Sequence, residues 1–158
     1  MKQLQLRNRQ RGARINNKLL RSIITELIEN LLGLNDYQLA IHLVSAPAMA
    51  HLNEQYLDHE GPTDVITFDL REGYNLAEAK SADLAGEIYI CIAEAKKQAR
   101  EFRTTWQEEL VRYVAHGILH LRGHDDLQPA KRKLMKREEN RLVRQLKGRF
   151  TFSGLAAE

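Results

Sequence analysis

The stretch HGILHLRGHDD, residues 116–126, decides how this 158-residue chain is read, because it gathers three of the six histidines and two aspartates. On a helix, residues four apart share a face, so His116 and His120 point the same way. At about 100° per residue, Leu110, Val111, Val114, Ile118 and Leu121 fill one apolar arc of the same helix. His116 and His120 lie on the other side, on a stripe with Glu109 and Tyr113, and stand outside that packing face. Gly123 supplies the stop signal, since glycine readily takes the left-handed conformation at a helix end. The chain turns back there, which makes His124 and Asp126 the two candidates to join the histidine pair.

Neutral imidazoles and carboxylates are ordinary zinc ligands, and three of them leave a position open for water or substrate. Metzincin proteases, with the pattern HExxHxxGxxH, place their ligands at offsets four and ten from the first histidine. Here those offsets hold His120 and Asp126, and the glycine of the pattern is Gly123. His124, at offset eight, falls short of the ligand position. The glutamate that acts as general base in HExxH is replaced by Gly117. The spacing therefore predicts a metal site, and the substitution argues against peptide hydrolysis.

Working outward, KQLQLRN (2–8), YQLAIHLVS (37–45), DVITFDL (64–70) and GEIYICI (86–92) read as strands. Leu19, Leu20, Ile23, Ile24, Leu27, Ile28 and Leu31 recur at helical spacing from the capping Asn16 or Asn17 to Gly33. A short helix over 46–57 opens at Pro47. Further helices are expected over 93–102, 105–121 and 129–147, with REGYNLAEAKSADL as a loop. The fold class is α+β: a small mixed four-stranded sheet packed with about five helices, one of them metzincin-like and carrying the metal histidines. A single domain over 1–150 is expected, followed by a loosely ordered tail over 151–158.

Composition narrows the classes further. Apolar residues make up 43% of the chain and charged ones 28%, which fits a globular protein. Cys91 is the only cysteine, which excludes an intramolecular disulfide, and its apolar run points to a buried thiol. MKQLQLRNRQRGAR is basic but has no apolar core, so it does not read as a signal peptide. No stretch approaches the roughly 18 apolar residues of a membrane span, and a cytoplasmic setting is expected. The net charge is only +3, but the cations cluster. Arg7, Arg9, Arg11 and Arg14 crowd one end; Lys131, Arg132, Lys133, Lys136 and Arg137 lead a run toward the other. Such clusters concentrate polyanions. A solvated helix face, with Glu138 and Glu139 pairing internally, accounts for the second cluster equally well.

The motif HGILHLRGHDD resembles the HGxLHLxGxDH signature of the YbeY family of metal-dependent endoribonucleases. HLNEQYLDHEGPTDVITF is similar to that family's LNxxYRxxDxPTDVLSF region through Leu52, Asn53, Tyr56, Pro62, Thr63, Asp64, Val65 and Phe68. Gly86-Glu87-Ile88 resembles its G-D-I strand entry. The resemblance implies a single-strand-specific endoribonuclease of 16S rRNA 3′-end maturation and ribosome quality control. It further implies one Zn2+ per chain, with ribosomal RNA and ribosomal subunit components as partners and a cytoplasmic location.

By position it implies His116, His120 and Asp126 as metal ligands, Asp126 standing where the family has histidine, with His124 as the alternative third ligand. His116 and His120 are also the expected catalytic residues. The arginine of the family's YR pair aligns with Leu57, which leaves His59 as the nearest candidate for a proton carrier or cationic contact. Arg7, Arg9, Lys131, Lys133 and Lys136 are the expected substrate-binding cations. Asp64, Thr63 and Glu87 read as structural, His42 and His51 as bystanders, and Trp106 as a packing residue. Two rival functions follow from the same residues: a zinc metallopeptidase, and a non-catalytic ribosome-binding module with a structural metal.

Overall fold

Strand alternation and helical periodicity sort this chain into a sheet with helices on both faces. The computed structural model describes residues 1–57, 64–71 and 81–157. The strands are β1 (Lys2–Asn8), β2 (Tyr37–Val44), β3 (Val65–Asp69) and β4 (Leu84–Cys91). They form one four-stranded sheet in the order β1-β2-β4-β3. β1 and β2, and β2 and β4, pair in parallel, while β3 runs antiparallel to β4. The sheet is mixed, as expected.

The helices among the described residues are α1 (Asn17–Thr25), α2 (Ala46–Leu57), α3 (Ile92–Phe102), α4 (Trp106–Leu121) and α5 (Pro129–Arg149). α1 starts at Asn16, whose side chain accepts from the Leu19 N–H, satisfying a donor that the first turn leaves open. It loosens into a π-helical turn, Glu26–Leu31, and stops before Gly33, whose φ is +67°. Thr105 caps α4 by accepting from the Glu108 N–H.

β2 presents Leu39, Ile41 and Leu43 to the main core, and β4 adds Ile88 and Ile90. Residues two apart share a sheet face, so Gln38, Ala40 and His42 look the other way. α2 covers part of that second face through Met49, which packs with Val44, Ile66 and Cys91. The apolar arc of α4 is buried as its spacing predicts, with Leu110, Val111, Val114, Ile118 and Leu121 at 1% exposure or less. α4 lies against β3 and β4 and is flanked by α3 and α5. Consequently Glu109, Tyr113 and Ala115, off that arc, are buried too.

Two glycines let α4 sit this close to the sheet. A Cβ on Gly86 would stand 2.7 Å from Leu121 Cδ1 and 2.8 Å from the Phe68 carbonyl oxygen. One on Gly117 would stand 2.9 Å from Ile88 Cδ1. Arg71 and Arg122 tie the far end of α4 to the sheet, donating to the Leu121 and Asp83 carbonyls respectively.

The segment after Thr151 departs from expectation. It is packed rather than loose: Phe152 and Leu155 are buried in the main core. The Asn16 N–H donates to the Leu155 carbonyl at 2.8 Å, and the Ala157 N–H donates to the Arg14 carbonyl at 3.0 Å. The expectation rested on its place after the last helix, but two apolar anchors and backbone pairing with the entry to α1 hold it down. The Gly61-Pro62 turn and residues 72–80 of the expected loop lie outside the described residues.

Candidate metal centre

The last turn of α4 sets the geometry. The Gly123 N–H donates to the His120 carbonyl and the His124 N–H to the Leu119 carbonyl, both at 3.0 Å. With Gly123 at φ +98°, this is the paired capping pattern that reverses a chain at a helix C-terminus. The reversal carries residues 124–126 back along the face that bears His116 and His120.

The imidazole Nε2 atoms of His116 and His120 are 3.1 Å apart. Asp126 Oδ2 lies 3.8 Å from the first and 3.4 Å from the second. One ligand atom from each of the three residues falls within 4.8 Å of the others. Each ring is fixed from behind. His116 Nδ1 is 2.8 Å from Glu139 Oε1, and His120 Nδ1 is 3.1 Å from the His124 carbonyl oxygen. A carboxylate and a carbonyl can only accept here, so each Nδ1 carries the proton. Each Nε2 is then a free lone pair, and the two face one another. Such outward hydrogen bonds fix tautomer and orientation in histidines that bind metals. Two imidazole nitrogens and a carboxylate oxygen form a donor set suited to a zinc-type divalent ion.

His124 is brought to the site by its main chain only; the three residues whose ligand atoms converge are His116, His120 and Asp126. The His124 main-chain carbonyl is the acceptor behind His120, held there by the Gly123 cap, in which the His124 N–H closes the helix.

Glu139 was hidden in the sequence among the charges of α5. It is only 3% exposed, and Arg112 Nη1 and Lys136 Nζ donate to its Oε2 at 2.7 and 3.0 Å. Burial alone would raise its pKa; the hydrogen bonds from His116, Arg112 and Lys136 outweigh that and hold it at about 2. Glu139 is therefore a carboxylate when it accepts from His116. No periodicity announces this residue, because two of its three partners, Arg112 and His116, lie on another helix and far away in sequence.

Beside the cluster runs a groove of about 250 Å³ lined by residues that include Asp64, Tyr113, His116, Asp126, Arg132 and Lys136. Asp64, expected to be structural, accepts from the Val65 N–H at 2.8 Å and also lines this groove. Among the expected substrate cations, Lys136 reaches the groove. Lys131 lies 4.0 Å from Asp125 on a neighbouring surface, and Lys133 is exposed on α5. Arg7 and Arg9 stand at the end of β1, outside the groove lining. His59 lies outside the described residues. His42 stacks on Tyr89 and sits 3.1 Å from Glu87, away from the cluster.

Gly117 faces Ile88 rather than the cluster. The position that carries the general base in a zinc peptidase is here turned into the core between helix and sheet.

The comparisons with known proteins agree with this architecture. The family model described as Endoribonuclease YbeY matches residues 5–147. An endoribonuclease YbeY of Salinibacter ruber is 37% identical over 125 residues, 78% of this chain and 79% of the relative. That of Chlorobium luteolum is 32% identical over 144 residues, 91% of this chain and 98% of the relative. A solution structure of a Thermotoga maritima protein superposes with a TM-score of 0.65 at 31% identity, covering 92% of this chain and 90% of the other. A helix-borne histidine pair, a glycine reversal and an acceptor after it, carried on a chain matched over nearly its whole length, place this protein in the endoribonuclease YbeY family.

Proposed function

We propose that this protein is a metal-dependent endoribonuclease that cleaves single-stranded RNA in ribosomal RNA maturation, at the 16S 3′ end, and in ribosome quality control, in the cytoplasm. The observation that carries the reading is the convergence of His116, His120 and Asp126, with both Nδ1 atoms engaged elsewhere, in a chain of this family. One Zn2+ per chain is the proposed ion; bound there, it supplies Lewis acidity toward a phosphate oxygen.

The protein's own residues do the rest. Glu139 keeps His116 in the tautomer that offers Nε2, and the His124 carbonyl does the same for His120. Asp126 adds one negative charge, so a divalent ion keeps a net positive charge toward RNA. Lys136 lies on the groove wall, while Lys131, Lys133, Arg7 and Arg9 are proposed to attract the polyanion at longer range. His59 is proposed as the proton carrier, with ribosomal subunit components as the partners.

Two observations weigh against the rivals. A peptidase needs a base where Gly117 packs on Ile88. A closed structural site needs a fourth protein ligand, and the cluster found among the described residues has three. The test is metal analysis together with RNA cleavage. Purified protein is expected to hold about one zinc per chain, and His120→Ala to lose both the ion and the cleavage of single-stranded RNA. Full cleavage by that metal-free variant would overturn the proposal.

A further inference from the structure

The groove beside His116 is lined by one cation whose terminal nitrogens, and one tyrosine whose hydroxyl, are engaged by no described group of the fold or of the metal cluster. The cation is Arg132, in the first turns of α5. Its Nε donates to the main-chain carbonyl of Asp126 at 2.9 Å, which aims the guanidinium along the groove that it lines. No described carboxylate pairs with its terminal nitrogens. Arg112 and Lys136 line the same groove but are engaged by Glu139.

The donor is Tyr113. It is 3% exposed, lines the groove, and its hydroxyl is buried with no hydrogen-bond partner among the described residues. An unsatisfied buried hydroxyl is unfavourable and uncommon unless a ligand completes it. Burial, with Asp64 and Glu109 nearby, pushes its pKa far above the ordinary tyrosine range, so it remains a donor.

The start of α5 gives a third observation. Its first turn has no acidic residue, and Arg132, the one cation of that turn that lines the groove, lies near a helix end whose dipole favours anions. A cation there opposes the dipole; an anion beside Arg132 satisfies both.

We propose that Arg132 and Tyr113 form a phosphate subsite next to the metal cluster, which takes a phosphodiester of single-stranded RNA. The proposal rests on the endoribonuclease reading above. Asp64 shares the groove, but its carboxylate is engaged by the Val65 N–H and lies 3.5 Å from Gln98 Nε2. The anion therefore sits toward Arg132.

The experiment measures binding of a single-stranded 2′-O-methyl RNA oligonucleotide to the zinc-loaded full chain, by anisotropy at several salt concentrations. Arg132→Ala is expected to weaken binding about tenfold and to flatten the slope of log K against log salt by about 0.7, the value of one phosphate on a single strand. Arg132→Lys retains most of that slope. Tyr113→Phe is expected to weaken binding about fivefold with the slope unchanged, while thermal stability stays level or rises, because the orphan hydroxyl is gone.

Unchanged affinity and slope in Arg132→Ala would overturn the subsite. So would a loss of zinc in step with the loss of binding, which makes Arg132 only a strut for the Asp126 turn. Unchanged binding in Tyr113→Phe removes that residue from it. If the wild type neither binds nor cleaves RNA, it is the endoribonuclease reading that fails, and the subsite with it.

Discussion

Glu139 controls how His116 presents itself. Without an acceptor behind Nδ1, the ring is free to swap tautomers and to turn. Losing such a support costs about 10–100-fold in metal affinity. Glu139→Ala is expected to fall in that range in a chelator competition, and Glu139→Gln, which keeps an acceptor oxygen, to lie closer to the wild type. Equal affinity in all three proteins would show that His116 is oriented by something else. Gly117 is informative in a different way. In sequence it marks the loss of a peptidase base; in the fold it is a contact surface for Ile88. Gly117→Glu would push a carboxylate into the core between α4 and β4. It is expected to cost about 2 kcal/mol or more in urea unfolding and to yield no peptide hydrolysis. A stable variant that cleaves peptides would contradict this placement of α4. Asp126 and Gly117 were both legible in the sequence because spacing along a single helix and its cap fixes them. The support from Glu139 and the meeting of Tyr113, on the histidine stripe, with Arg132, in the basic cluster, were not: they come from α5 packing across α4, and nothing local encodes that meeting.

At the level of elements, α4 is the part on which the site depends. It serves the core with one arc, the sheet with Gly117 and the groove with the histidine stripe. The sequence wheel revealed the first and third of these. It did not show how fully the helix is enclosed, since Glu109 and Tyr113 lie outside the main packing arc but are buried by neighbouring helices. All four strands were legible, β1 from its alternation of polar and apolar residues and β3 from its β-branched and aromatic content. The C-terminal segment was misread for a related reason. Phe152 and Leu155 are too few to show a period, yet they close the core over the start of α1. Leu155 is fully buried, so Leu155→Ala is expected to destabilise the fold by about 2–4 kcal/mol in denaturant unfolding. A change below about 0.5 kcal/mol would mean that the segment does not anchor the core.

Across the whole molecule, parallel pairing of β1, β2 and β4 brings the helices onto the sheet, and the cap at Gly123 returns the chain to the groove between α4 and α5. The positive clusters then divide by task. Lys136 and Arg132 lie at the groove, Arg141 pairs with Glu138, and Arg7 and Arg9 sit at the far end of the edge strand. Part of the basic run is thus a solvated, internally paired helix face, and part borders the groove; charge counting in sequence could not separate them. His116, His120 and Asp126 are the residues proposed to hold the ion on which RNA cleavage would depend. The measurement that tests this most directly is zinc content and single-stranded RNA cleavage in Asp126→Ala and His124→Ala side by side. Asp126→Ala is expected to lose the ion and the cleavage together, while His124→Ala, which leaves the main-chain carbonyl behind His120 in place, keeps both. Retention of zinc and cleavage by Asp126→Ala, with their loss in His124→Ala, would contradict the account.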